Sequence, residues 1–228
     1  MSSRQSVFLS FCIFCMLSSF GGLLFAQQET VERTAGVSAG MGVSYVDAPN
    51  VVDYLNTFVA SPAERVSDFG SAVEFFVAPE KWLSPSIILR LEYAYLLKSY
   101  SLSRTEGLYH FGYSVHMPTL VLDYLFEGDG FYVKVGGGGG YHFGKFSRLD
   151  PSSSTETRFT GSGVGVKLEL TGNTAFGESL YGLIGGDLRL DFIGALKDSD
   201  GIGPDRAGNP VRLRFTSVGV KFGLVYYF

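Results

Sequence analysis

The chain has 228 residues, 18 basic against 22 acidic, and is rich in Gly (30), Phe (20) and Tyr (13). A formal charge of −4 with no basic stripe excludes an ordinary nucleic-acid-binding surface. Past residue 26 no apolar run approaches the roughly 18 residues of a membrane-crossing helix, and the length suits one all-β domain.

In chain order, Arg4 followed by the apolar stretch Val7–Phe25 and a small residue at Ala26 predicts a secretory signal peptide over 1–26, leaving one domain over 27–228. Both cysteines, Cys12 and Cys15, fall inside that leader, so the remaining chain has no thiol chemistry and no disulfide framework. The first predicted strand, 35–46, sets Val37, Ala39, Met41, Val43 and Tyr45 on one face against Gly and Ser on the other. Between it and the next strand, Val51, Val52, Leu55, Phe58 and Val59 recur at helical spacing after Asn50, read as the N-cap, with Asp53 in the first turn. This predicts a short amphipathic helix over a barrel mouth, packed on the rim in preference to docking a partner. Strand two, 66–78, alternates Phe69, Val73, Phe75 and Val77 with Gly70, Ala72 and Glu74; strand three, 86–99, alternates Ile87, Leu89, Leu91, Tyr93, Tyr95 and Leu97 with Arg90, Glu92 and Lys98. Strand four, 109–126, breaks phase: odd positions Tyr109 to Met117 are apolar, then even positions Leu120 to Phe126, which predicts a bulge at Pro118. Strands five (131–146), six (158–170) and seven (181–196) repeat the alternation. Strand eight ends the chain with Val218, Val220, Phe222, Leu224, Tyr226 and Phe228 opposite Ser217, Gly219, Lys221, Gly223, Val225 and Tyr227.

Eight such strands, with short connections near 79–85, 127–130 and 171–179 alternating with longer ones, predict an all-β fold: an eight-stranded antiparallel transmembrane β-barrel in an up-and-down meander. Both termini are expected on the periplasmic side. A soluble barrel with its apolar face inward is the rival; sparse charge on the other face and aromatics near strand ends favour lipid outside.

An eight-stranded barrel is just wide enough for side chains to fill it. The predicted interior polar network is Glu74, Arg90, Glu92, Asp123, Lys134, Lys167, Glu169, Asp187, Arg189, Asp191 and Lys221. Five positive and six negative groups nearly balance, as buried charges must, which favours a salt-bridged plug over an open pore. With Gly128 and Asp129 as a two-residue turn, Asp123 faces Lys134 and the pair forms a salt bridge. The bulge then puts His142 opposite Ser114 with His116 one step away, a set that polar packing explains better than catalysis. The run Gly136–Gly140 lacks the strand-to-helix context of a phosphate loop; its inward glycines, with Gly161, Gly163 and Gly165, are expected to make room for long side chains from the opposite wall. Asp198, Asp200 and Asp205 resemble a calcium loop only faintly, since Asn209 stands where a bidentate Glu belongs. No catalytic, cofactor-binding or metal residues are assigned.

The segment MPTLVLDYLFEGDGFYVKVGGGGGYHFG, 117–144, resembles the outer-membrane β-barrel family that includes OmpX, OmpW, opacity-type proteins and the OmpA membrane domain. The resemblance implies an integral outer-membrane protein, its partners the surrounding lipid and, through Tyr226 and Phe228, the barrel-assembly machinery. It leaves function open among a non-enzymatic barrel acting through its outer loops, a narrow conduit for small or hydrophobic solutes, and a lipid-modifying enzyme.

Overall fold

A computed structural model describes residues 34–58, 70–104, 107–151, 155–204 and 210–228. The predicted leader 1–26 lies outside them, as do Val59, Phe69, Asp205 and Asn209. Eight antiparallel strands form a closed barrel: β1 (Ala35–Asp47), β2 (Ser71–Ser84), β3 (Ile87–Arg104), β4 (Gly107–Gly128), β5 (Phe131–Leu149), β6 (Thr157–Ala175), β7 (Leu180–Ala195) and β8 (Arg212–Tyr227). Each strand pairs with its chain neighbours, and β1 pairs with β8, so no edge is left open. Among the described residues no helix is long and apolar enough to cross a membrane.

Alternation decides which face looks out. Leu168 is 63 % exposed while Lys167 beside it is 3 % exposed. The same contrast runs around the wall, giving an outer belt that includes Val43, Leu91, Leu122, Val166, Leu190 and Phe222, all exposed. A belt this apolar on a closed barrel is a lipid-facing surface, and the soluble rival, with its apolar face inward, is excluded.

The expected bulge at Pro118 is absent. β3 and β4 keep one register from Ile87↔Tyr124 to Arg104↔Gly107, through Tyr93↔Pro118. Odd positions of β4 are buried from Phe111 to Leu125, so Phe111, Tyr113, Val115 and Met117 point inward rather than outward. What changes at Pro118 is polarity, not phase. On the turn side of it, the outside is apolar and the inside polar. On the loop side, the outside carries Ser114, Gly112 and His110 and the inside is apolar. β6 and β8 invert in the same way: Arg158 and Thr160 face out around inward Phe159, and Arg212 and Arg214 face out around inward Leu213 and Phe215. This inversion marks where the wall leaves hydrocarbon, since β3 to β6, at 18 to 22 residues, exceed the roughly 9–11 needed to cross. A real register shift lies instead in β7, between Phe192 and Ala195.

The β1–β2 connection contains helix α1 (Pro49–Phe58). Amides of Val51 and Val52 both donate to the Ala48 carbonyl, at 3.1 and 3.2 Å. The helix therefore begins at Ala48–Pro49, not at Asn50, with proline at the first position where its missing N–H costs nothing, and Asp53 falls beyond the first turn. Val51, Leu55 and Tyr54 are buried against Phe146 and neighbouring apolar side chains, closing the loop end of the barrel.

Candidate functional site: the barrel interior

Three tiers fill the lumen. At the turn end the rings of Tyr132, Tyr181 and Tyr227 meet at centroid distances of 5.3 to 5.9 Å, with the hydroxyls of Tyr132 and Tyr227 in contact and Trp82 edge-on to Tyr227 at 4.8 Å. At the loop end Phe111, Phe146, Phe159, Leu196, Leu213 and Phe215 make an apolar core under α1. Between them lies the charged tier.

All eleven residues of the predicted polar network are inward and at most 6 % exposed. Glu92 stands at the centre, with its carboxylate 2.6 Å from Lys167, 2.9 Å from Lys221 and 3.1 Å from both Arg90 and Arg189. Glu169 is the second hub: it meets Lys167 at 2.5 Å, Lys221 at 3.0 Å and the Arg90 guanidinium. Arg90 also grips Asp123 with two nitrogens, at 2.9 and 3.3 Å, the fork geometry that suits a carboxylate. Arg189 bridges Glu74 at 2.7 Å and Asp187 at 2.7 Å. Lys221 lies 4.7 Å from the Phe76 ring centroid, a cation–π contact in a dry setting. The cluster draws on six strands, and each cation touches at least two carboxylates, so no cation in it depends on one partner.

The expected Asp123–Lys134 bridge does not form. The turn is Asp129–Gly130, with Gly130 at φ +75°, and the strands pair as Gly128↔Phe131, two residues from the expected register. Asp123 then lies opposite Gly136 and binds Arg90, while Lys134 crosses the lumen to Glu80 at 2.8 Å. Glu80 lies beyond the expected network because Pro79 resembles the start of a turn; β2 runs on to Ser84, and the even phase Glu74, Phe76, Ala78, Glu80 carries the signal. Inward Thr171 and Asn173 were missed alike, since β6 continues through the segment assigned to a turn. Both are 1 % exposed, and neither side chain finds a hydrogen-bond partner among the described residues.

The histidines separate. With no bulge, Ser114 and His116 share the outer face; Ser114 pairs with Lys145, and His116 accepts or donates at 2.6 Å to the Tyr93 hydroxyl and rests on Tyr95. Only His142 is inward. Its Nδ1 meets Asp191 and its Nε2 lies 3.1 Å from Thr119 Oγ1. Acid, imidazole and hydroxyl thus align, and all three are at most 3 % exposed. The glycines serve closer neighbours than expected: a Cβ at Gly165 would strike His142, and one at Gly138 or Gly140 would strike backbone carbonyls of β4. In the last outer loop, Asp198 accepts backbone N–H groups of Asp200 and Ile202 at 2.9 and 2.8 Å, holding a local turn.

No protein-family model matches the chain, and no curated protein sequence matches it. Solved structures do. Neisserial surface protein A is similar at 11 % identity, covering 85 % of this chain and 97 % of that one, with a TM-score of 0.51. Ail, the attachment invasion locus protein of Yersinia pestis, solved with the heparin analogue sucrose octasulfate, is similar at 10 % identity, covering 87 % and 100 %, with a TM-score of 0.51. Likeness at such identity concerns the fold, and in fold this chain is a small outer-membrane β-barrel.

Proposed function

We propose that the chain is a non-enzymatic integral barrel of a bacterial outer membrane, acting through its loop-end surface and lipid-facing wall rather than its lumen. One observation carries this reading: the tyrosine tier, the ion cluster and the helix-capped apolar core fill the interior in succession. A conduit needs a continuous wet path, and each tier interrupts it. An enzyme needs its reacting groups reachable, and Thr119, His142 and Asp191 are sealed. Reconstitution in planar bilayers tests the proposal, with no steady ion current expected from the folded protein. Sustained openings in bilayers would favour the conduit reading.

The same proposal puts both termini on the periplasmic side. Residues Ala35 and Tyr227 share the end with the short turns Asp129–Gly130 and 85–86, the end expected to face the periplasm. There Tyr226 and Phe228 project outward, 49 % and 65 % exposed, where a component of the insertion machinery can read them.

A further inference from the structure

The β7 register shift has a chemical result outside the lumen. It sends Leu196 inward, fully buried, and turns Lys197 outward; in unbroken phase Lys197 would point into the apolar core. Bulges re-aim side chains in this way. The redirected lysine is paired with Thr160 of β6 by two backbone hydrogen bonds of 2.7 and 3.0 Å, and Thr160 is paired on its other side with Lys145 of β5. Directly opposed residues share a face, so Lys145, Thr160 and Lys197 form one outward row, with about 10 Å between the two lysine Cα atoms. Arg158 lies one step along β6 toward the loops, and Arg212 and Arg214 project from β8 on the far side of β7, opposite Ala195 and Phe192. The acidic group bound into this arc is Glu156, held by Arg158 at 2.8 Å and also close to Lys145. Just below the row come Tyr141, Phe143 and Phe192 of the apolar belt. The arc therefore sits where the wall changes polarity, at the depth of lipid headgroups. Among the described residues the turn end shows no such excess: there Lys81 is outnumbered by Glu127, Asp129 and Glu178.

Resting on the membrane reading proposed above, we infer that Lys145, Lys197, Arg212 and Arg214 form a binding site for a phosphorylated lipid headgroup in the leaflet at the loop end. An anion seated between the two lysines meets two ammonium groups, and Thr160 can donate to the same phosphate oxygen. Aliphatic lysine stems lying along the belt leave their ammonium groups at headgroup height.

The test uses the folded full chain in dodecyl maltoside, with native mass spectrometry reading retained lipid. The probes are lipid A carrying both phosphates and phosphatidylcholine, with inorganic phosphate as competitor. The expected result is at least tenfold tighter retention of lipid A than of phosphatidylcholine, reduced at least fivefold by Lys145→Gln with Lys197→Gln and unchanged by Lys81→Gln. Equal retention by the double variant overturns the site. So does equal retention of phosphatidylcholine. Full displacement by millimolar inorganic phosphate overturns the lipid assignment in favour of a free anion. Heat-modifiable gel migration reports the barrel itself, so a failed fold and a failed site give different results.

Discussion

Glu92 shows what burial does to a single side chain. It is 0 % exposed and touches four cations; taking its charge away leaves Arg90, Lys167, Arg189 and Lys221 with less anion than they need. Breaking a buried ion pair by removing one partner costs about 3–5 kcal/mol. Glu92→Gln is therefore expected to lower the urea midpoint of the folded barrel in vesicles by a loss in that range, whereas Glu156→Gln, at an exposed ion pair, changes stability by under about 1 kcal/mol. Asn173 presents the opposite case. Its amide is buried without a hydrogen-bond partner among the described residues, and such a group costs about 1–3 kcal/mol. Asn173→Leu, close to it in size, is expected to raise the same midpoint; an unchanged or lower midpoint would count against the orphaned amide.

At the scale of elements, the strands were legible and their limits were not. Alternation is a strong signal because one face meets hydrocarbon, and Leu168 beside Lys167 could hardly be misread. Register depends on one turn, and Asp129–Gly130, not Gly128–Asp129, carries the favoured Asp-Gly dipeptide of a two-residue hairpin. The supposed bulge at Pro118 failed for a deeper reason. Hydropathy reports what surrounds a residue, and the surroundings of β4 change from lipid to headgroup and solvent halfway along, so apolar side chains move from outside to inside with no change of phase. Helix α1 was legible from its spacing, but its anchor was not: Tyr54 receives a hydrogen bond from Arg148 at 2.6 Å and donates to the Pro204 carbonyl at 3.2 Å. Tyr54→Phe removes both. A loss of about 1–3 kcal/mol in the local stability of the helix is expected, seen as roughly ten- to a hundredfold faster amide hydrogen exchange of α1 with little change in the strands.

For the molecule as a whole, the terminal strand closes the ring and faces lipid with Val218, Phe222, Leu224 and Tyr226. If Phe228 is read during insertion as proposed, its removal will reduce the amount of protein in the outer membrane severalfold while synthesis is unchanged. The measure is quantitative immunoblotting of membrane fractions against total protein, and equal membrane levels would dismiss that role.

The spread of the ion cluster over the strands bears on assembly order. The first four strands contribute Glu74, Glu80, Glu92 and Asp123 against Arg90 alone; the last four contribute Lys134, Lys167, Arg189 and Lys221 against Glu169, Asp187 and Asp191. Neither half neutralises itself: the first carries three surplus anions and the second one surplus cation, and the ion pairs join the two halves across the lumen. A partly built sheet must hold ionised groups against hydrocarbon or keep them wet. The cheapest route is for water to leave the lumen only as β1 and β8 meet, which makes ring closure and interior drying a single cooperative event.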